Sequence, residues 1–214
     1  MWHVRFGIRH SAMTRRLAVL ISGRGSNLQA IIDAVNEQTL DASISVVVSN
    51  REAAAGLQRA RAAGIEALFL NPKSFNGRDA YDRALVSELQ TRGVDLVCLA
   101  GYMRLLGEPM IAAFPQRILN IHPSLLPAFP GLDAQRQALE HGVRVSGATV
   151  HFVTDELDGG PIVLQSCVPV RADDTVDTLS ARILIEEHRI YPEAIQKVLG
   201  GKCVIEGRRV LTSP

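Results

Sequence analysis

The stretch Leu17-Ala-Val-Leu-Ile-Ser-Gly-Arg-Gly-Ser-Asn-Leu28 decides the fold class. It opens with a continuous apolar run, Leu17 to Ile21, which is typical of a parallel strand covered on both faces. A glycine-rich turn follows at once. Leu28, Ile31, Ile32 and Val35 then recur at helical spacing. A strand, a glycine turn and a helix in this order indicate an α/β protein with an anion site at the start of the helix.

The pattern of strand and helix continues outward from this stretch as far as residue 122. The apolar runs predict strands at 44–48, 66–70, 94–100 and 117–122. Helical periodicity predicts helices at 52–63, 78–92 and 109–114. Strands that alternate with helices in this way form a parallel sheet with right-handed crossovers.

After residue 122 the pattern changes. A helix is predicted at 132–141, and strands at 147–153 and 161–165 form a hairpin-like pair. A long helix is predicted from Asp173 or Asp174 to about Leu199, with a break at Tyr191-Pro192. A short hairpin near Gly207 closes the chain. The prediction is therefore one α/β domain: a mostly parallel, twisted, Rossmann-like sheet with helices on both faces, a C-terminal strand pair and a long helix.

Composition narrows the functional class. The chain has 214 residues, of which 47% are hydrophobic and 21% charged, as in ordinary soluble domains. The net charge of +1 provides no bulk attraction to nucleic acid or to an anionic membrane. No apolar run has the length of a membrane span. Cys98, Cys167 and Cys203 lie far apart and have neither metal-ligand nor disulfide spacing, which favours a reducing, cytoplasmic compartment.

The first residues of the chain form a separate unit in this interpretation. Residues 1–16 contain four arginines, two histidines and no acid, and they lack the apolar stretch of a signal peptide. We therefore expect a poorly ordered extension over 1–15 and a catalytic domain over 16–214.

The glycine loop is a candidate phosphate site. Its spacing is G-x-G-x-x-L, because Leu28 stands where the dinucleotide fingerprint has its third glycine. The second strand is followed by no acid that could bind a ribose diol, which also argues against a dinucleotide. A single phosphate held by the backbone N–H groups of Gly25, Ser26 and Asn27 fits better. The alternative is a tight turn whose glycines allow close packing.

Asn120 and His122 are the candidate reacting groups. They stand two residues apart at a strand end, so both side chains point to one face, about 7 Å apart along the strand. Pro123 restricts His122 to an extended backbone. An amide donor beside a general acid/base suits a reaction that passes through an oxyanion and moves a proton. The alternative is a polar strand end without chemistry.

Asp158 lies in a Leu-Asp-Gly-Gly-Pro turn and has two interpretations. It is an ordinary turn residue, or it pairs with His122, fixes the tautomer of that ring and raises its pKa. His151 is predicted to be a satisfied core or supporting histidine. Four polar stretches follow predicted strands, and ligands of parallel sheets bind at such ends, so we expect them to converge. These stretches are 23–27, 101–106, 120–122 and 155–160.

Four motifs together resemble those of the folate-dependent phosphoribosylglycinamide formyltransferases. The segments are 22–30, 100–106, 120–127 and 151–161, in the family's order. The Asn-x-His…Asp set is common to the wider formyltransferase superfamily, whereas Ser-Gly-x-Gly-Ser-Asn-Leu is more specific to this branch. The loop 131–136 departs from the family pattern.

The resemblance implies a role for each matched residue. Asn120, His122 and Asp158 would be catalytic. Gly25, Ser26 and Asn27 would hold the substrate phosphate, and Glu187 would contact the same ribonucleotide. The folate pocket would be lined by Arg78, Met103, Arg104, Leu105, Leu106, Asn120, Val153, Thr154, Asp155, Glu156, Leu157 and Asp158.

The implied reaction is formyl transfer from 10-formyltetrahydrofolate, as co-substrate, to the amine of glycinamide ribonucleotide in purine biosynthesis. It needs no metal, and its partners are small molecules, with the enzyme a monomer or homodimer. A formyltetrahydrofolate hydrolase would carry an extra N-terminal domain. A methionyl-tRNA formyltransferase would need a basic C-terminal domain to bind tRNA. A non-catalytic mononucleotide-binding module would not need Asn120, His122 and Asp158 together.

Overall fold

The computed structural model describes residues 14–201 and 203–212. The strands are β1 (Arg15–Ile21), β2 (Ala42–Ser49), β3 (Ala67–Phe69), β4 (Leu96–Leu99), β5 (Ile118–His122), β6 (Val145–Phe152), β7 (Ile162–Pro169), β8 (Cys203–Glu206) and β9 (Arg209–Thr212). The helices are α1 (Ser26–Asn36), α2 (Ala55–Ala62), α3 (Arg78–Thr91), α4 (Glu108–Ala113), α5 (Ala134–Glu140) and α6 (Val176–Leu199), with one 3₁₀ turn at Pro72–Ser74.

The strands form one nine-stranded sheet in the order β3-β2-β1-β4-β5-β6-β7-β9-β8. The first five strands in this order are parallel to one another. The β5–β6 and β6–β7 pairs are antiparallel, as is the terminal β8–β9 hairpin. The predicted α/β class, the C-terminal strand pair and the closing hairpin are therefore confirmed.

Strand β1 is covered on both faces, as its apolar run predicts. All residues from Leu17 to Ile21 have 0% exposure. Val19 and Ile21 face a core that includes residues of α1, α2 and α6. Ala18 and Leu20 face a second core that includes residues of α3 and α4. The alternation of side chains along the strand thus serves two separate layers of helices.

Helix α6 begins later than predicted. Thr175, rather than Asp173 or Asp174, is the N-cap. Its hydroxyl accepts the Thr178 N–H at 3.2 Å, and the Thr178 hydroxyl accepts the Thr175 N–H at 3.0 Å. Asp174 instead accepts hydrogen bonds from the Arg171 N–H and the Arg182 guanidinium. The prediction was wrong because the Asp174 carboxylate is already bound by the Arg171 N–H and by the Arg182 guanidinium of α6.

The predicted break at Tyr191-Pro192 does not occur. Pro192 lies inside α6, and the helix continues to Leu199. Proline removes one backbone hydrogen bond from the helix, but tertiary burial of its neighbours outweighs that loss. The buried neighbours are Ile190, Tyr191, Ala194 and Ile195, each exposed by 2% or less.

The structure describes only the end of the predicted N-terminal extension. The predicted extension over 1–15 lies outside the described residues apart from Thr14 and Arg15, and Arg15 is the first residue of β1. Among the residues the structure describes, no helix combines the length and apolarity that crossing a membrane requires.

Strands β1, β4 and β5 are neighbours and parallel, so their carboxyl ends meet at one edge of the sheet. The loops that leave them begin at Ser22, Ala100 and Pro123. This edge is where open α/β sheets bind ligands.

Candidate active site

The glycine loop joins β1 to α1 and is backed by the first turn of α2. Gly25 has φ +73°, and a Cβ there would lie 2.7 Å from the Cα of Gly56. The Gly56 N–H donates to the Gly23 carbonyl at 3.1 Å, and Arg59 Nε donates to the Arg24 carbonyl at 2.9 Å. These contacts hold the loop in a conformation that a side chain at position 25 would not allow.

The N-terminus of α1 is available to an anion. Its cap, Gly25, contributes no side-chain hydrogen bond, and its first turn contains no acidic residue. The first N–H groups of a helix have no partner inside the helix, and the helix dipole favours negative charge there. The backbone N–H groups of Ser26 and Asn27 belong to this first turn, so the geometry is suited to a phosphate.

Asn27 connects this loop to α6. Its Nδ2 donates to Glu187 Oε2 at 2.6 Å, and both side chains are buried. Burial raises the pKa of Glu187, and the Asn27 hydrogen bond only partly offsets that effect. Asn27 Oδ1 is buried and accepts no hydrogen bond from the residues that the structure describes. An unpaired acceptor beside a carboxylate suits the hydroxyl groups of a sugar.

His188, the neighbour of Glu187, faces another direction. It lines a groove of about 360 Å³ between α1 and α6, together with Asp33 and Arg189. Burial lowers the pKa of His188, and the Asp33 charge opposes that shift. Of the two adjacent residues, Glu187 therefore reaches the phosphate loop.

Asn120 is held in place by His151. The two residues are direct partners across the β5–β6 ladder, and Asn120 Nδ2 lies 3.1 Å from His151 Nε2. His151 is 2% exposed, and its Nδ1 lies 2.9 Å from the Phe152 carbonyl oxygen. That carbonyl is an acceptor, so Nδ1 carries the proton and Nε2 accepts from Asn120. The second Asn120 amide proton remains available to a ligand.

His122 lies between two acceptors. Its Nδ1 is 3.4 Å from Asp158 Oδ2, and its Nε2 is 2.9 Å from the carbonyl oxygen of Phe129. Asp158 also accepts the Gly131 N–H at 2.8 Å, and its Oδ1 lies 3.6 Å from His151 Nε2. The structure thus brings Asn120, His122 and Asp158 together, with His151 in contact with both Asn120 and Asp158.

Burial outweighs the predicted effect of Asp158 on the pKa of His122, although the sign of the Asp158 effect is as predicted. Burial is the largest influence and lowers the pKa of His122 below its ordinary value; the Phe129 carbonyl and the Asp158 charge raise it less. Asp158 behaves differently. Burial raises its pKa, but the adjacent His151 ring, the hydrogen bond from the Gly131 N–H and the His122 ring together outweigh that effect, so its net pKa lies below the ordinary value. At neutral pH the pair is a neutral imidazole beside a carboxylate.

The loop that brings Asp158 to His122 follows a path that the sequence pattern did not predict. Strand β6 is antiparallel to β5, and its last residue, Phe152, lies opposite Leu119. The loop after β6 therefore leaves beside the beginning of β5, where the Val153 N–H bonds the Ile118 carbonyl at 2.9 Å. The loop then folds back to bring Asp158, with φ +50°, to His122. The expectation that this stretch lies at the same strand ends was wrong, although its carboxylate does converge with the others.

Phe129, whose carbonyl contacts His122, has a strained backbone. It is a non-glycine residue with φ +56°. A left-handed conformation in such residues costs about 1–2 kcal/mol, and it recurs at functional sites. At Phe129 the backbone directs the carbonyl toward His122. Sequence alone offered no signal for this contact, whereas the His151 contact could have been found from the antiparallel register.

The loop 101–107 after β4 is anchored on α3. The Gly107 N–H donates to Asp82 Oδ2 at 2.5 Å, and the guanidinium carbon of Arg104 lies 4.7 Å from the centre of the Tyr81 ring. Arg78 Nε lies 3.2 Å from the position of a Cβ on Gly107. The structure therefore brings Arg78 next to this loop.

Large apolar side chains stand exposed on the two loops that flank the cluster. Met103 and Leu105 on the loop after β4 are 57% and 60% exposed, and Leu157 on the loop after β6 is 54% exposed. Exposed apolar groups close to polar catalytic groups mark a ligand surface. The remaining predicted folate residues differ in exposure: Leu106, Val153 and Thr154 are half-buried, and Asp155 and Glu156 are exposed.

Comparisons with known proteins agree with this geometry. The chain matches the model of the formyl transferase family over residues 15–195. It is similar to glycinamide ribonucleotide transformylase 1 from Symbiobacterium toebii, with 60% identity and a TM-score of 0.94; the match covers 95% of this chain and 96% of that one. It is also 50% identical over 186 residues to phosphoribosylglycinamide formyltransferase from Escherichia coli, covering 87% of this chain and 88% of the relative.

A larger relative contains a similar segment. The chain is 50% identical over 186 residues to trifunctional purine biosynthetic protein adenosine-3 from Homo sapiens. The match covers 87% of this chain but 18% of that protein. The similarity to the trifunctional protein therefore concerns one segment of its length.

Proposed function

This chain belongs to the formyl transferase family, and on that premise we propose that it transfers a formyl group from 10-formyltetrahydrofolate to the amine of 5-phosphoribosylglycinamide. The products are formylglycinamide ribonucleotide and tetrahydrofolate, a step of purine biosynthesis. One observation carries the proposal: Asn120, His122 and Asp158 meet at the sheet edge that also holds a phosphate-type loop and an apolar loop. The distance of 3.4 Å between His122 Nδ1 and Asp158 Oδ2 is its most specific part.

The ribonucleotide would bind at the start of α1. The N–H groups of Gly25, Ser26 and Asn27 hold its phosphate, and Glu187 with Asn27 binds the ribose hydroxyls. The support is the uncapped helix N-terminus and the unpaired Asn27 oxygen. Backbone donors and a helix dipole bind a phosphate without a metal ion or a dedicated lysine.

The formyl folate would bind between the two exposed apolar loops. Met103 to Leu106 form one side of the pocket and Val153 to Asp158 form the other, with Arg78 and Arg104 at the edge. Flat aromatic rings bury well against Met and Leu side chains, and guanidinium groups bind carboxylates. The support is the exposure of Met103 and Leu105 and the position of Arg78 beside Gly107.

In the chemical step, the substrate amine attacks the formyl carbon, a C–N bond forms, and negative charge develops on the formyl oxygen. The free Asn120 amide proton donates to that oxygen. A donor of this kind contributes roughly 3–4 kcal/mol to the transition state. The C–N10 bond then breaks, and the carbonyl re-forms on the product.

A proton must move from the attacking amine to the departing N10. His122 is suited to this transfer because burial keeps it neutral, so it can accept the proton, directly or through a water molecule held by Asp158. The imidazolium that forms is stabilised by the Asp158 carboxylate and by the Phe129 carbonyl. It returns the proton to N10, and no covalent enzyme intermediate forms.

The same proposal includes a location and a domain boundary. A cytoplasmic, reducing compartment fits the buried free thiols of Cys98 and Cys203. The formyltransferase domain runs from residue 16 to the C-terminus, and the family match over 15–195 supports a boundary near this start.

The test is an assay of the purified protein with 10-formyltetrahydrofolate, with and without glycinamide ribonucleotide. We expect tetrahydrofolate and formylglycinamide ribonucleotide to form together, and only when both substrates are present. Release of formate at a rate that ignores the ribonucleotide would identify a hydrolase and overturn the proposal. Binding of ribonucleotide without any turnover would indicate a mononucleotide-binding module.

A further inference from the structure

Ser22 is the first residue of the Ser-Gly-Arg-Gly-Ser-Asn motif and directly precedes the proposed phosphate loop, 23–27. It follows β1 directly and precedes the two glycines of the turn. Its side chain, however, is turned away from that loop. Ser22 is 3% exposed, so its hydroxyl depends on protein partners rather than solvent.

Both hydrogen-bonding functions of the Ser22 hydroxyl are used within the protein. The hydroxyl donates its proton to Asn50 Oδ1 at 2.5 Å and accepts the Met103 N–H at 2.7 Å. A serine hydroxyl has one proton, so this donation leaves none for a phosphate oxygen. Asn50 also fixes the direction of the oxygen lone pairs and strengthens the bond from Met103.

The contacts of Ser22 bracket the first turn of the loop 101–107. The Ser22 N–H donates to the Gly101 carbonyl at 3.0 Å, while the hydroxyl receives Met103 two residues later. Gly101 has φ +74°, so the chain bends sharply between these two bonds. Met103 and Leu105, the exposed apolar side chains of this loop, follow directly.

We propose that Ser22 is a positioning residue for the folate subsite, although it belongs by sequence to the phosphate motif. It holds the backbone of Met103, and through it the apolar side of the folate pocket. The two substrate subsites are therefore joined at one residue, with the phosphate turn beginning at Gly23 and the folate turn bonded to Ser22. This inference rests on the proposed function for the identity of the two substrates.

The test is the Ser22→Ala variant in steady-state kinetics with each substrate varied in turn. The KM for 10-formyltetrahydrofolate should rise about tenfold, because the Met103 N–H loses its acceptor. The KM for glycinamide ribonucleotide should change less than about twofold, because the helix N-terminus is untouched. Gly25→Ala is the matched control, since its Cβ would meet the Gly56 Cα and reshape the turn before α1, and it should raise the ribonucleotide KM instead.

A second variant keeps the inference testable if Ser22→Ala does not fold. Asn50→Ala removes the acceptor that orients the hydroxyl and leaves Ser22 in place. It should shift the folate KM in the same direction by a smaller factor. A larger effect on the ribonucleotide KM than on the folate KM, in either variant, would overturn the assignment, and so would an unchanged folate KM in both.

Direct binding separates this inference from the proposed function. Calorimetric titration with tetrahydrofolate measures the folate subsite without turnover. If the wild-type protein binds tetrahydrofolate but transfers no formyl group, the proposed function fails while the weaker binding of Ser22→Ala still supports the role of Ser22. Equal affinity of the wild type and Ser22→Ala for tetrahydrofolate would contradict that role, whatever the reaction.

Discussion

The proposed phosphate loop and the proposed catalytic cluster lie at the same sheet edge but are built in opposite ways. The loop is one continuous segment, 23–27, whose donors are backbone N–H groups at the start of α1. The cluster consists of side chains from β5, β6 and the loop after β6. Asn120 lies on β5, and Asp158 lies in the loop that follows the antiparallel strand β6. In the proposed function, local backbone geometry therefore creates the binding site, whereas strand register creates the reacting site.

The two regions also differ in charge chemistry. The phosphate binding that we propose at the loop depends on the helix dipole and on a glycine conformation, and neither titrates near neutral pH. The cluster depends on His122 and Asp158, whose pKa values are shifted by burial and by each other. Changes in the cluster should therefore act on turnover and its pH dependence, and changes in the loop should act on affinity for the ribonucleotide.

His122→Ala should have the largest effect. Loss of the proton carrier should lower kcat by roughly a thousandfold. Affinity for glycinamide ribonucleotide should remain within about twofold, because the loop at α1 is not touched. Rapid-quench kinetics and calorimetric titration measure the two quantities. Near-normal turnover would remove His122 from the mechanism and would end the contrast between the two regions.

Asp158→Asn should have the next largest effect, a loss of roughly a hundredfold in kcat. It should also move the acidic limb of the pH–rate profile to lower pH. The Asp158 charge raises the pKa of His122, so its removal lets burial lower that pKa further. A profile of kcat/KM between pH 5 and 8 for both proteins measures the shift. If the acidic limb stays in place or moves to higher pH, Asp158 does not raise the pKa of His122.

Gly25→Ala should act on affinity. A side chain there would meet the Gly56 Cα at 2.7 Å in a backbone with φ +73°. The KM for the ribonucleotide should rise roughly tenfold or more, with a smaller change in kcat. Gly64→Ala is the matched control: its φ is +70°, and beyond its chain neighbours no heavy atom among the described residues lies within 4 Å of the new Cβ.

Both glycine variants should lose stability because both force a left-handed backbone on alanine, and Gly25→Ala should lose more because its Cβ also meets the Gly56 Cα. Only Gly25→Ala should change the ribonucleotide KM. An equal change in KM for Gly64→Ala would show that general destabilisation, rather than the shape of the loop, governs binding. Thermal denaturation of the two variants provides the comparison of stability.

The smallest expected effect concerns stability and pH. The folded state lowers the pKa of His122, so the unfolded chain binds this proton more readily. The contribution is complete above about pH 6.5 and falls as the pH decreases below it, by less than about 1.4 kcal/mol per pH unit. Denaturant unfolding of the wild type and His122→Asn at pH 7.5 and 5.5 measures it. If the free energy of unfolding changes by the same amount between these two pH values in both proteins, burial does not disfavour the charged ring.

Much of the fold, and part of the candidate site, could be predicted directly from the sequence. The apolar run of β1, the glycine turn and the period of α1 predicted a parallel sheet and an anion site because each depends on neighbours within a few residues. The spacing of Asn120 and His122 predicted side chains on one face for the same reason. The roles of these residues in catalysis remain predictions that the variants above test.

Other features could not be read from the sequence, because each depends on which of several possible partners a residue contacts in the folded protein. The cap of α6 fell on Thr175 because Asp174 is occupied by Arg182. The continuity of α6 through Pro192 depends on its burial against the sheet. The folate-side role that we infer for Ser22 depends on the neighbouring positions of β1 and β4, which bring Met103 to its hydroxyl.

The sequence by itself determined a strand, a turn and a helix that make a phosphate-type site, and it determined that Asn120 and His122 share a face. Periodicity and backbone sterics act over a few residues, so they are written locally. Only the tertiary structure decided that Asp158 folds back to His122, that His151 holds Asn120, and that His122 is neutral rather than charged. Register and desolvation depend on every element packed around the site, and no single segment contains that information.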